Sequence, residues 1–424
     1  MRIDRLKLQN FNGFESFEID FDPHFNLLVG DNGSGKTSVL DSLSILIDAW
    51  LLGINQKEIG GSLHLEEVRV VAFAHQDSYT FEKQFPVRIE ASGEVMDDRV
   101  TWAIGRIKAE KASNYVEIEN LSKIAMDASQ KVMTNSLVVL PVACSYGTER
   151  LWFETRHRKQ IRSQEDDRGQ PSRLLGYEDC NEFEIQESAL LNWIRAQILD
   201  GIQIGQQTLA FRAMEKAVVN CVEGATFLRY SERYKDAIVG FEPDGPQFFK
   251  NLSDGQRIML TLVGDLVRRA TALNPHLGEE VLQKTPGVVL IDELDLHLHP
   301  KWQRRIIRDL KLTFPQVQFI ATTHSPQLIG EAKPEELRVL RDWKVIPVEL
   351  SYGLDSDRIL EEIQEAERRS PDIEVLIHEI ALAIDADRIE EARTLLDSLE
   401  DKLGPHDREV LRPRRMLKDL ETAR

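Results

Sequence analysis

Residues 30–37 read Gly-Asp-Asn-Gly-Ser-Gly-Lys-Thr and fit the pattern GxxxxGK[ST]. An apolar run at residues 25–29 precedes them, and apolar residues at helical spacing follow from Val39, so a buried strand and an amphipathic helix flank the pattern. In this setting, glycines let backbone N–H groups surround phosphate oxygens, and the helix N-terminus adds partial positive charge. The stretch predicts a phosphate-binding loop (P-loop) and therefore an α/β fold.

The side chains of this loop have separate predicted roles. Lys36 is expected to reach the β and γ phosphates of a nucleotide, and the hydroxyl of Thr37 is expected to ligate Mg²⁺. ATP and Mg²⁺ are the predicted cofactors. The other predicted nucleotide contacts in the loop and directly after it are Gly30, Asn32, Gly33, Ser34, Gly35 and Ser38.

A second motif, Val-Val-Leu-Ile-Asp-Glu at residues 288–293, is a hydrophobic strand that ends in two carboxylates. In a P-loop fold, such a strand lies close to the phosphate loop. Asp292 can then hold Mg²⁺, while Glu293 orients and deprotonates the attacking water. Without the loop, an ordinary strand followed by an acidic turn would be the better interpretation.

Residues 252–257, Leu-Ser-Asp-Gly-Gln-Arg, open a predicted helix. Ser253 and Gln256 are three residues apart, so a plain capping box explains the pattern as well as any ligand does. The functional interpretation is that Ser253, Gly255 and Gln256 contact a γ-phosphate. Because the chain has one phosphate loop and one such signature, that nucleotide would be bound to a second subunit.

A histidine follows the next predicted strand, in Thr-Thr-His-Ser at residues 322–325. His324 can donate a hydrogen bond to a γ-phosphate oxygen, although a histidine in a surface turn is the simpler alternative. His297 and His299 suggest a metal site, but they lie in the turn after Glu293 with no thiol nearby, and zinc normally takes four ligands. We therefore interpret both as turn residues.

These motifs, in this order, resemble ABC-type ATPases of the SMC, Rad50 and RecF kind, and the whole chain resembles AAA_21/AAA_23-type ATPases, particularly the PtuA ATPases of Septu and retron-associated antiphage systems. The resemblance extends to the stretches at residues 6–21, 140–150 and 251–257. It implies a P-loop NTPase of the ABC-ATPase head type that forms a head-to-tail nucleotide-sandwich dimer or a higher even oligomer. It also implies a separate effector such as an HNH nuclease (PtuB-like), with a retron reverse transcriptase or RNA as a further partner. Asn12 departs from the arginine that many relatives have, which puts a basic nucleotide contact there in doubt.

The spacing of the motifs predicts the domain organisation. Lys36 and Asp292 are 256 residues apart, far more than a βαβ unit needs, so an insertion must separate the two halves of the ATPase. The prediction is a first ATPase lobe at 1–149, a helical insertion or arm at 150–245, a second lobe at 246–350 and a helical extension at 351–424. The arm is too short for a long coiled coil.

Within these segments, a strand is predicted at residues 137–143, and helices without a clear strand are predicted from residue 185 to about 239. The turn at 145–150 is the candidate for a Q-loop. The C-terminal extension has two apolar helical stripes, the second stopped by Gly404 and Pro405.

Composition limits the class of protein. The 424 residues carry a formal net charge of −18, which argues against a chain that coats nucleic acid. Three cysteines without CxxC spacing support neither disulfides nor a zinc finger, and the charged first residues do not fit a secretory signal, so we expect a cytoplasmic protein without a membrane span. Residues 150–162 are locally basic and are the possible DNA contact, with a solvated loop as the alternative. Residues 351–410 contain 18 acids against 7 lysines and arginines; they are either a docking surface for a partner or a helical cap on the ATPase core, and the sequence leaves both open equally.

Three functions remain open from the sequence. The first is an ATP-hydrolysing dimer that regulates an effector in antiphage defence. The second is a RecF-like repair or recombination ATPase. The third is an OLD-like ATPase that is itself a nuclease, but Asp355 and Asp357 form only an isolated DxD pair, with no strand-flanked glutamate to complete a Toprim site.

Overall fold

The computed structural model describes residues 1–55, 63–75, 78–110, 114–148, 173–180, 187–364 and 369–422. The chain divides into two compact units, Met1–Asp355 and Ser356–Arg424. In the described ranges, the strands are β1 (Arg2–Phe11), β2 (Phe14–Asp20), β3 (Phe25–Val29), β4 (Val70–His75), β5 (Ser78–Lys83), β6 (Val87–Val95), β7 (Asp98–Arg106), β8 (Asn114–Glu117), β9 (Val142–Tyr146), β10 (Ala225–Ser231), β11 (Asp236–Phe241), β12 (Gly245–Phe248), β13 (Gly287–Ile291), β14 (Val317–Thr322), β15 (Leu337–Arg341) and β16 (Lys344–Ile346). The α-helices there are α1 (Lys36–Asn55), α2 (Glu119–Met133), α3 (Glu187–Ile204), α4 (Leu209–Cys221), α5 (Asp254–Leu273), α6 (Val281–Lys284), α7 (Pro300–Gln303), α8 (Ile306–Thr313), α9 (Pro326–Ile329), α10 (Ser356–Glu362), α11 (Pro371–Asp385), α12 (Ile389–Leu403) and α13 (Arg408–Thr422).

The first unit is built on two large sheets with α1 between them. One sheet is antiparallel, in the order β2-β1-β6-β7-β8, and the other has the order β16-β15-β3-β14-β13-β9. In the second sheet, all neighbouring pairs are parallel except β15 with β16. Every residue of β3 and β13 is buried, as expected for parallel strands covered on both faces. This arrangement brings the carboxyl ends of β3, β13, β14 and β15 to one edge.

Helix α1 is the core helix of this unit. It contacts β6 and β7 on one side and β9, β13 and β14 on the other. The indole Nε1 of Trp102 on β7 donates to the carbonyl of Leu46 at 3.1 Å and fixes the helix against the antiparallel sheet. Residues 36–54 are long and apolar enough to cross a bilayer, but 67% of that window is buried inside the protein. Packing within the fold accounts for its apolar composition.

The prediction of a helical segment from residue 185 to about 239 is wrong in its second half. Helices α3 and α4 are present, but β10, β11 and β12 then form a three-stranded antiparallel sheet. Leu228 is fully buried while its neighbour Arg229 is exposed, and Lys235 has a positive φ of 50° in the turn to β11. The alternation that signals a strand is weak here, because β11 is buried almost throughout and β12 has only four residues.

The strand predicted at residues 137–143 is also displaced. The ladder begins at Val142 and continues through Tyr146, so it includes residues that the sequence assigns to a turn. The backbone of Leu140 instead pairs with the side-chain amide of Asn274, which accepts from the Leu140 N–H at 2.8 Å and donates to its carbonyl at 2.8 Å. A side chain thus replaces the neighbouring strand at this point.

The second unit is helical, as the sequence predicts. Helices α11, α12 and α13 enclose a small core that contains Ile380, Leu399 and Val410, and both predicted apolar stripes contribute to it. Helix α12 ends at Leu403, and Gly404 follows with a φ of 85°. The stop signal in the sequence is therefore confirmed.

Candidate nucleotide-binding site

The phosphate loop joins β3 to α1 and is closely confined. A Cβ added to Gly30 would lie 2.2 Å from the carbonyl oxygen of Leu340 on β15. Gly35 has a φ of 98°, and a Cβ there would lie 2.4 Å from the ring of Phe14. Both positions therefore require glycine, and the loop is held between β15 and the start of β2.

Lys36 is buried at the end of this loop. Its Nζ donates to the carbonyl of Gly30 at 2.7 Å and to that of Asp31 at 2.9 Å. Burial lowers the pKa of Lys36, while the charges of Asp292, Asp31 and Glu293 oppose that shift. The ammonium group of Lys36 is thus close enough to Asp292 and Glu293 for their charges to raise its pKa.

The loop presents polar atoms suited to phosphate. The Ser34 hydroxyl oxygen is buried and has no hydrogen-bond partner. Asn32, Gly33 and Thr37 are exposed. An orphaned hydroxyl inside a glycine-rich loop is what an incoming phosphate oxygen would satisfy, because buried polar atoms are otherwise almost always paired. The residues present therefore fit a bound phosphate.

Asn12 occupies a structural position beside the loop. Its side chain donates to the Ser38 hydroxyl at 3.1 Å, and its backbone N–H donates to the carbonyl of Glu67 at 2.7 Å. The turn between β1 and β2 is thereby attached to the first turn of α1.

Asp292 and Glu293 follow β13 and are locked to β14 by a hydroxyl. The Thr322 Oγ1 donates to Asp292 Oδ1 at 2.5 Å and accepts from the Glu293 N–H at 2.7 Å. The neighbouring Thr323 Oγ1 donates to Asp295 Oδ1 at 2.6 Å. Glu293 has a φ of 49°, in the left-handed region that non-glycine residues rarely adopt. These bonds hold the turn that contains Asp292, Glu293 and Asp295, the carboxylate turn, in one geometry.

A cavity of about 280 Å³ links the loop to this turn. Its hydroxyl and carboxylate oxygens are ligands of the type that Mg²⁺ prefers, so the donor set fits the ion predicted from the motif. The residues that line it are Thr37, Leu40, Asp41, Ser44, Ser145, Tyr146, Gly147, Thr148, Leu290 and Asp292.

Asp41 also lines this cavity, although none of the sequence motifs identifies it. It lies four residues after Thr37, which places both on one face of α1. Burial, followed by the charges of Asp292 and Glu67, raises the pKa of Asp41 to about 6. The spacing from Thr37 is the signal in the sequence that could have identified it.

The signature residues at the start of α5 form the predicted capping box. The Ser253 hydroxyl accepts from the Gln256 N–H at 3.4 Å, and Gln256 Oε1 accepts from the Ser253 N–H at 3.0 Å. A Cβ on Gly255 would lie 2.7 Å from the carbonyl of His297 and 3.0 Å from the indole of Trp302, so this glycine permits close packing. Ser253 is exposed, and none of these three signature residues lines the cavity beside Thr37.

Farther along α5, a buried polar network joins the signature helix to the cavity wall. The Tyr146 hydroxyl donates to Asp265 at 2.9 Å, and Arg269 donates to the same carboxylate at 2.6 Å. The two arginines Arg268 and Arg269 hold the pKa of Asp265 below its usual value despite its burial. Since the backbone carbonyl of Tyr146 accepts from the Asp292 N–H at 2.8 Å, the network reaches the carboxylate turn.

The histidines occupy different settings. His324 is exposed directly after β14, at the edge where β3 and β13 also end. His299 caps α7, its Nδ1 accepting from the Lys301 N–H at 3.3 Å. Within the described ranges, no group of three or more His, Cys, Asp or Glu side chains is arranged to hold a metal ion.

Two predicted regions are described only in part or not at all. Of the Q-loop candidate at 145–150, Ser145 and Tyr146 belong to β9, and Gly147 and Thr148 line the cavity. The basic stretch at 150–162 lies outside the described residues.

Comparison with known proteins gives two family matches and similar proteins along most of the chain. Residues 5–206 match AAA_23, described as "AAA domain", and residues 235–330 match AAA_21, described as "AAA domain, putative AbiEii toxin, Type IV TA system". The Retron Ec83 probable ATPase of Escherichia coli is 25% identical over 478 residues, covering 96% of this chain and 85% of that protein. The Septu protein PtuA of Bacillus thuringiensis is 24% identical over 444 residues, covering 99% and 98% respectively. The SMC head domain from Thermotoga maritima superposes with a TM-score of 0.44 and 16% identity, covering 82% of this chain and 100% of that structure.

These matches confirm the resemblance to AAA_21/AAA_23-type ATPases that the motifs indicate. The chain is an ATPase with a P-loop.

Proposed function

We propose that this ABC-type ATPase closes two copies of itself around ATP and thereby regulates a separate effector in antiphage defence. The observation that carries the proposal is the position of Ser253. It is exposed at the start of α5, and no signature residue lines the cavity that contains Thr37 and Asp292. A second copy, placed head to tail, would bring its own signature to this nucleotide and complete the site.

In the proposed mechanism, the chain binds and orients the nucleotide before the partner arrives. Lys36 and the backbone of the loop bind phosphates, and the Ser34 hydroxyl satisfies one phosphate oxygen. Thr37 and Asp292 would hold Mg²⁺, which when bound neutralises charge on the phosphates. Glu293, fixed by its backbone bond to Thr322, deprotonates the attacking water, and His324 donates to the γ-phosphate.

The relatives support the choice of defence over repair. Two similar proteins that align with nearly the whole chain are named as a retron ATPase and as a Septu protein. We therefore propose a cytoplasmic protein whose effector is an HNH nuclease, with a retron reverse transcriptase or its RNA as a further partner. DNA contact through residues 150–162 is a part of the RecF-like alternative. Neighbouring genes for an HNH protein or a reverse transcriptase favour defence, whereas repair genes favour that alternative.

The dimer is tested with Glu293→Gln, which removes the base and traps bound ATP. With Mg²⁺ and saturating ATP, size-exclusion chromatography with light scattering should show a dimer, and ADP should give a monomer. A second variant, Glu293→Gln with Ser253→Arg, should bind ATP and remain monomeric because the bulky cation blocks the signature. A Glu293→Gln protein that binds ATP yet stays monomeric would refute the sandwich.

A further inference from the structure

An exposed tryptophan lies beside the phosphate loop. Trp343 is in the turn between β15 and β16, where Arg341 pairs with Lys344, and 38% of it is accessible to solvent. Both turn residues, Asp342 and Trp343, have positive φ values, 48° and 61°. Such backbone conformations are uncommon for non-glycine residues, so the turn projects the indole from a fixed and unusual position.

The indole lies against two glycines. A Cβ added to Gly13 would lie 2.0 Å from the Trp343 ring, and one added to Gly35 would lie 3.1 Å from it. The ring also meets Phe14 edge-on, with ring centroids 5.0 Å apart. Because Gly35 belongs to the phosphate loop, Trp343 is in contact distance of the site while part of its surface stays open.

Strand order determines which end of a nucleotide lies near this ring. From β3, which carries the loop, β14 and β13 lie on one side and β15 on the other. Asp292 follows β13, so the γ-phosphate and Mg²⁺ must lie on that side. With Mg²⁺ held at Asp292 as proposed, an extended nucleotide places its nucleoside on the opposite side of the loop, toward the carboxyl end of β15. Trp343 follows that end by two residues, next to the loop.

We propose that Trp343 is the platform on which the nucleobase of the bound nucleotide stacks. A planar aromatic ring with one supported side and a partly exposed surface is a suitable partner for a base, and stacking tolerates any base because each has a π face. The inference rests on ATP binding at the phosphate loop and is independent of the dimer and of the effector.

The experiment compares a nucleotide with the same phosphates lacking a base. Calorimetry would measure the Kd of ATP and of inorganic tripolyphosphate, with Mg²⁺ present, for the parent chain, Trp343→Ala and Trp343→Phe. Trp343→Ala should weaken ATP binding about tenfold, in the range of alanine substitutions at stacked bases, and leave tripolyphosphate binding within about twofold. Trp343→Phe keeps an aromatic ring and should retain most of the ATP affinity. Trp193→Ala, which removes a half-buried indole on α3, should change neither.

Three results would overturn the proposal. If Trp343→Ala binds ATP as tightly as the parent, the base does not contact the ring. If it weakens ATP and tripolyphosphate equally, the indole only supports the loop through Gly35. A parent chain that binds tripolyphosphate no more weakly than ATP would likewise show that the base contributes nothing. None of these results depends on whether the chain dimerises.

Discussion

Removing the Thr322 hydroxyl should weaken Mg²⁺ binding at Asp292 in the carboxylate turn. Thr322→Val keeps the shape of the side chain but deletes the donor to Asp292 and the acceptor of the Glu293 N–H. The hydroxyl is buried, and a hydrogen bond to a charged group contributes about 1.5–3 kcal/mol, so the variant should lose about 3 kcal/mol of stability at this turn. Residues that orient a metal ligand typically change metal affinity or activity by about 10- to 100-fold.

The assay is steady-state ATP hydrolysis at saturating ATP over a range of Mg²⁺ concentrations. The Mg²⁺ concentration for half-maximal rate should rise at least about tenfold in Thr322→Val, and Thr322→Ser should restore most of it. Thr323→Val is the matched control, since it removes a comparable buried bond, to Asp295 rather than Asp292. If the Mg²⁺ curve of Thr322→Val superimposes on that of the parent, or if Thr323→Val shifts it equally, Thr322 does not position the metal ligand.

Two further predictions concern α1 and the loop. Burial raises the pKa of Asp48 to about 6, so its folded state disfavours the ionised form and stability falls as pH rises from about 4 through 6. Asp48→Asn should therefore add about 1–2 kcal/mol at about pH 8 and little near pH 4, and equal gains in Tm at both pH values would contradict this. Gly35→Ala should abolish ATP binding measured by calorimetry, because its Cβ would meet the Phe14 ring at 2.4 Å. Gly33→Ala has open space around its Cβ, so it should weaken ATP binding only through backbone strain, by about 1–3 kcal/mol. Equal losses in the two glycine variants would show that contact with the ring is unimportant.

The parts of the fold that the sequence predicts well are those with strong local signals. The strands β3 and β13 are continuous apolar runs, and α5 begins at a capping box, so their positions follow from neighbouring residues alone. The three strands at 225–248 have weaker alternation. Their strand character depends on pairing with one another, which a helical reading of the same residues does not reveal.

The sequence predicts which residues bind phosphate and Mg²⁺, but it does not predict the contacts that hold those residues in place. Sequence spacing identifies Lys36 and Asp292, because phosphate and Mg²⁺ binding need those residue types at those positions. It does not show that Thr322 bridges two backbone segments or that Trp343 reaches Gly35, since both contacts arise from strand order in the folded sheet. Asp41 could have been found from its helical spacing to Thr37.

The segment that contains α3, α4 and the small sheet of β10, β11 and β12 is built only from short elements. Between residues 187 and 248, the longest element is α3, with 18 residues, which spans about 27 Å. This part of the chain contains nothing that could transmit a nucleotide-dependent movement over hundreds of ångströms. Any movement that a nucleotide drives within residues 187–248 is therefore limited to the length of such short elements, about 27 Å at most.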